Sequence, residues 1–157
     1  MIKIDVSGII GLGEKFKEAG GVGLDEGVKQ GLYIAGKAVQ SAARDLVPVD
    51  TNALRLSISS NLGVSTSSFT QEIGPTQPYG KAIEFGRPPG TKVNPQALMA
   101  WAKKRGLNPY AVAKNIEKNG SPAQPYLYPA AEDQADNVQS ILAQAVINAF
   151  EDAFTKS

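Results

Sequence analysis

The chain has 157 residues, a formal net charge of +1, no cysteine and no histidine. A chain of this length buries about 70% of the surface its unfolded form exposes, so one domain with an insertion needs no covalent staple. The missing residue types exclude disulfides, thiolate nucleophiles, zinc–thiolate sites and imidazole bases, and the balanced charge exerts no global pull on nucleic acid or membrane.

In chain order, "MIKIDV" alternates and predicts a short first strand. Residues 8–19 predict a short helix and "GGVG" a loop, so residues 1–23 read as an N-terminal arm. The arm carries Glu14 and Glu18 and no convincing cleavage site, so it is not read as a signal peptide. No run reaches the ~18 apolar residues of a membrane span. From Asp25 to the residue before Pro48, Val28, Leu32, Ala35, Val39, Ala42 and Leu46 recur every three or four positions. This predicts a long amphipathic helix, stopped because the residue before a proline avoids the helical region. Gly27, Gly31 and Gly36 each weaken that helix by about 1 kcal/mol relative to alanine, which suggests close backbone approach along it.

Leu54, Leu56, Ile58, Leu62 and Val64 all occupy even positions and predict a half-buried strand. After "STSS", "FTQEIG" predicts its antiparallel partner, with Phe69 and Ile73 on one face. "PTQPYGKAIEFG" reads as a turn and a short helix closed by Gly86. Two further helices are predicted in "NPQALMAWAKKRG" and "NPYAVAKNIEKNG", each with a capping Asn, a Pro at the first helical position and a terminal Gly. A last helix is predicted from Pro129 to about Phe154, with Ala131, Ala135, Val138, Leu142, Ala145 and Ala149 as its buried stripe. The fold class is therefore α+β. An antiparallel hairpin or small sheet packs against two long helices in a single domain, residues 24–157, with a helical insertion at residues 88–122.

Charge is segregated along the chain. Arg87 to Lys118 holds seven basic residues and one acidic, whereas Ala131 to the end holds five acidic and one basic. In the stretch 95–119, Ala102, Gly106 and Val112 fit the small, turn and apolar positions of a helix-turn-helix. Lys103, Lys104, Arg105, Lys114 and Lys118 supply charge for DNA phosphates or an acidic protein partner. This DNA-binding module is the alternative functional reading, and Pro109 in the first turn of the would-be recognition helix weighs against specific readout. Trp101, the only tryptophan, reads as the anchor of the insertion's small core.

Asp50, Glu72 and Glu84 are the central carboxylates, and nothing in their spacing brings two of them together for acid–base work. The glycines of "GIIGLG" and "GGVG" lack the strand–turn–helix context and the Lys-Ser/Thr ending of a phosphate loop. No catalytic residue, metal site or cofactor is expected.

Three motifs in order carry a resemblance. "VPVDTNALRLSI" resembles P-V-D-T-G-x-L-R-x-S-I, "PYGKAIEFG" resembles Y-A-x-x-V-E-F-G-T, and "AQPYLYPAAED" resembles R-P-F-L-x-P-A. Together they resemble the tail-component family of long-tailed bacteriophages, neck or tail-completion proteins that join head to tail. Matching positions are Pro48, Asp50, Thr51, Leu54, Arg55 and Ser57; Tyr79, Glu84, Phe85 and Gly86; and Pro125, Leu127, Pro129 and Ala130. Asn52 replaces the pattern's glycine and still tolerates a left-handed backbone. Gly80 replaces its alanine, and Arg87 its threonine.

The resemblance implies a structural virion subunit without cofactor. Its partners would be further copies of itself in a ring, head-completion or connector proteins, tail terminator or tail-tube proteins, and DNA passing the neck, but no membrane. Its place would be the head–tail junction or proximal tail end, reached by assembly in the host cytoplasm. Glu84 is expected to accept backbone N–H bonds or to pair with Arg55. Tyr79, Ile83 and Phe85 are expected to pin the short helix to the hairpin or to a neighbouring subunit.

Overall fold

In the computed structural model, residues 1–5, 25–48, 52–65 and 68–155 are described. The expected helix at 8–19 and the glycine loop after it lie outside them. Among the described residues the chain forms three strands and seven helices. They run in the order β1 (Ile2–Asp5), α1 (Asp25–Leu46), α2 (Ala53–Ser57), β2 (Ile58–Val64), β3 (Phe69–Pro75), α3 (Gly80–Phe85), α4 (Pro95–Lys104), α5 (Pro109–Asn119), α6 (Leu127–Asp133) and α7 (Ala135–Thr155).

The sheet is antiparallel with β3 in the centre, paired to β1 on one side and β2 on the other. Its register sets Ile2 against Ile73 and Val64 against Phe69. It also sets Lys3 opposite Glu72, although the two side chains form no salt bridge. α1 crosses one face of this sheet. Its buried stripe holds Val28, Leu32, Ala35 and Val39 as expected and continues through Ala43, while Leu46 stands half out of it. Two polar side chains of α1 bind it to the start of β2: Gln40 Nε2 and Arg44 Nη2 both donate to the Ile58 carbonyl, at 2.6 and 2.8 Å. The main core gathers Val39, Ala43, Val47, Leu54, Ile58, Ile73, Tyr126, Leu127 and Ala130. A second cluster of Val28, Leu32 and Phe69 is closed by Leu142, Val146 and Phe150 of α7.

The glycines of α1 have a packing reason. A Cβ built on Gly27 would stand 2.6 Å from Ala149 Cβ, and one on Gly31 would stand 2.5 Å from Ala145 Cβ. Both distances are far inside van der Waals contact. α1 and α7 therefore meet along a seam of glycine on one helix and alanine on the other, closer than larger side chains permit. Gly36 faces Gln71 and Ser60 of the sheet in the same way.

Two expectations are corrected. The even-numbered strand does not begin at Leu54, because residues 53–57 form the helical turn α2. Two helical residues are separated by about 200° of rotation, so Leu54 enters the core while Leu56 is 74% exposed. The turn starts at Asn52, which adopts φ 57° and ψ −8°, the left-handed conformation that asparagine tolerates. Ser57 Oγ bonds back to the Leu54 carbonyl at 2.8 Å. The last helix is also two helices. α6 begins at Leu127, ahead of Pro129, and Gln134 leaves helical geometry before α7 starts. Ala135 of the expected stripe is exposed as a result.

The insertion follows its local signals. Asn94 Oδ1 accepts from Gln96 N at 3.0 Å and Asn108 Oδ1 from Tyr110 N at 2.9 Å, each with proline as the next residue. Ala102 and Ala113 are the buried contacts between α4 and α5. The lobe is tied back by paired bonds between Arg87 and Ser121, at 3.0 and 2.9 Å.

Candidate assembly site

The short helix α3 ends on a buried carboxylate. Glu84 is 5% exposed, and its side chain points at the start of α6. Oε2 accepts from the backbone N–H of Tyr126 (2.8 Å) and Leu127 (2.9 Å), and Oε1 accepts from that of Tyr128 (2.9 Å). Tyr126 is the N-cap residue of α6, and its own side chain does not cap the helix. A helix start leaves several N–H groups without intrahelical partners. Here the first three are bonded to Glu84, and the next position is Pro129, which has no N–H. One carboxylate from 42 residues upstream thus satisfies the whole helix start, and its negative charge sits at the positive end of the helix dipole.

The neighbouring residues hold this clamp. Gly86 adopts φ 69°, and a Cβ there would meet the Ser121 carbonyl oxygen at 2.5 Å and Ala123 N at 2.8 Å. Glycine at this position lets the segment 121–126 run against the end of α3. Gln124 N donates to the Ile83 carbonyl at 2.8 Å on the way. Tyr126 is fully buried, and its hydroxyl donates to the Gly80 carbonyl at 3.4 Å. Burial, then the nearby Glu84 charge, then Tyr79 push its phenol up to about 12. Gly80, where the phage pattern has alanine, is itself packed on Pro75 and below the Tyr126 hydroxyl. The second and third sequence motifs are therefore one structural unit.

The other predicted residues divide. Leu127 is in the core and Pro129 is half-buried in the first turn of α6. Pro48 and Pro125 are exposed. Asp50 and Thr51 lie outside the described residues. Arg55 does not pair with Glu84. Its Nη2 lies 3.4 Å from Asp45 Oδ1 in an exposed contact, since Glu84 is already committed to backbone donors. Tyr79 is partly exposed, whereas Ile83 packs against the main core. Phe85 is 72% exposed, so it is not pinned to the hairpin. Lys103, Lys104, Arg105, Lys114 and Lys118 are all exposed on the insertion. Trp101 lies partly exposed under the Arg105 guanidinium, 4.5 Å from ring centroid to Cζ, instead of filling the lobe's core.

Among the described residues, no group of three or more acidic side chains is placed to hold a metal ion. Nor is any helix long and apolar enough to cross a membrane. Sequence reasoning missed Tyr126. Its signal was the tyrosine inside "QPYLYP", a large apolar ring with a polar tip between two prolines.

Residues 11–86 match the family described as "Bacteriophage HK97-gp10, putative tail-component". No curated protein and no solved structure matches the chain. The matched stretch includes the first two motifs and ends on the Gly86 that closes α3, and Glu84 joins it to the third motif beyond. Residues 11–86 thus resemble the HK97-gp10-like tail-component family, a match that supports a tail-related structural protein of a bacteriophage.

Proposed function

We propose that this chain is a head–tail connector or tail-completion subunit. It works as a ring of its own copies at the head–tail junction, between the head-completion or connector proteins and the tail terminator or tail tube. The observation that carries the reading is the family match over residues 11–86. The surface supports it. Large apolar side chains stand exposed on several layers, including Tyr33 on α1, Leu56 on α2, Val64 on β2, Phe85 on α3 and Tyr110 on α5. Such exposure is what subunit contacts cover. Assembly would take place in the host cytoplasm, and the finished ring would stay in the virion. The exposed lysines of the insertion favour a second, minor component, non-specific contact with DNA passing the neck. That contact would weaken steeply with salt.

In-vitro joining tests the proposal. Extracts from cells infected with a phage lacking this gene should accumulate separate heads and tails, and added purified protein should join them into infectious particles. Normal joining without the protein contradicts it.

A further inference from the structure

Two shallow apolar depressions lie on different elements and carry opposite charge. The first is a groove over the α6–α7 break. It is lined by Ala38, Ala42 and Leu46 of α1 and Pro129 of α6, with the carboxylates of Asp45 and Asp133 beside them. Its volume is about 690 Å³. The small side chains of α1 leave the trough open, and Leu46 is 51% exposed in it. Among the described residues, Asp133 accepts only from the neutral amide of Gln134, at 2.9 Å. Asp45 holds its exposed contact to Arg55, a type of pair that contributes little and exchanges easily. The second is a dish of about 480 Å³ on the insertion, lined by Met99, Lys103, Leu107 and Pro109. Met99 and Leu107 are 54% and 46% exposed. Lys103 makes no ion pair among the described residues.

We infer that the insertion of one copy seats on the α1–α6 groove of the next, with Lys103 against Asp133 and the apolar rims of dish and groove in contact. This deepens the ring reading and rests on it. Charge complementarity selects a second copy as the occupant. Lys103 lines the dish, whereas Asp45 and Asp133 line the groove, within stretches that are basic from Arg87 to Lys118 and acidic from Ala131 on. Opposed charge fixes register and suppresses like-against-like docking, in which two insertions or two grooves would face each other. Because dish and groove belong to different elements, a copy that uses its dish keeps its groove open for another. That contact is heterologous, the type that closes into a ring when the rotation between copies closes.

The chain has no cysteine, so single introduced thiols report contacts directly. Lys103→Cys and Asp133→Cys proteins, full-length and mixed under assembly conditions, should oxidise to the mixed dimer in at least about tenfold excess over either same-variant dimer. Lys103→Glu should raise the concentration needed for assembly by about tenfold, and Lys103→Glu with Asp133→Lys in one chain should restore it. All these positions are exposed, and an unchanged thermal melt verifies the fold. Wild-type assembly without excess mixed dimer overturns this interface and leaves the ring intact. Loss of DNA retardation in Lys103→Glu with assembly unchanged overturns it too, and assigns the dish to DNA. A wild-type protein that stays monomeric, alone and with purified connector and tail-tube proteins, overturns the ring reading and this interface together.

Discussion

Glu84 shows how much one side chain can organise when its charge is buried. Hydrogen bonds to a charged group contribute about 1.5–3 kcal/mol each, and a buried donor left unpaired costs about 1–3 kcal/mol. Glu84→Gln keeps the shape but turns one oxygen into an NH₂ that opposes a backbone N–H. The expected loss is about 2–4 kcal/mol in urea unfolding, with the denaturant slope unchanged. Hydrogen exchange should speed up first at the amides of Tyr126, Leu127 and Tyr128. Glu72→Gln, on the partly exposed middle of β3, should stay within about 0.5 kcal/mol and serves as the control. Tyr126 gives the same region an alkaline limit. Its phenol is held up to about 12 in the folded protein against 10.0 ordinarily. The folded state therefore keeps a proton that the unfolded state loses from pH 10 upward. Stability from this group is complete below pH 10 and falls between pH 10 and 12, by at most about 1.4 kcal/mol per unit. Tyr126→Phe should flatten that fall in unfolding curves taken across the window. An unchanged slope would mean that other groups carry it.

At the scale of elements, the α1–α7 seam opposes two effects of known size. Gly31→Ala gains about 1 kcal/mol of helix propensity but drives a methyl group into Ala145 Cβ at 2.5 Å. Overpacking of this kind costs about 1–3 kcal/mol, so a net loss in thermal or chemical unfolding is expected. Gln30→Ala, on the exposed face of the same helix, should be neutral or slightly stabilising. A stabilised Gly31→Ala would show that the helices separate easily and that the seam is loose. The same helix shows which features were legible in the sequence. Its stripe, its stop near Pro48 and the Asn-Pro starts of α4 and α5 depend on residues within one or two turns, and local chemistry decides them. The "ALRLS" turn was not legible, because its leucines alternate like a strand while the left-handed Asn52 and the Ser57 back-bond favour a helix. The start of α6 was misplaced for a related reason. Pro129 reads as a first helical residue, and the group that allows an earlier start, Glu84, lies 42 residues upstream. The expectation that Glu84 would accept backbone N–H bonds was open in the sequence alongside a pairing with Arg55. Only the fold decides between them, by burying Glu84 against α6 and leaving Arg55 beside Asp45.

For the whole molecule, the features converge on assembly. The most conspicuous central carboxylate is committed to backbone donors, and what remains available on the surface is apolar and segregated by charge. A basic insertion and an acidic terminal helix in one chain give it two unlike regions, which suits heterologous contact between copies. Stable contacts between proteins cover about 800 Å² on each partner, and the proposed ring would draw that area from the exposed apolar side chains of several elements. Size-exclusion chromatography with light scattering on the full-length protein, over a rising concentration series, alone and with purified connector and tail-tube proteins, tests this most directly. A single closed oligomer of fixed mass, seen as a ring in negative stain, is expected. Monomer throughout, with no ring on either partner, would contradict it.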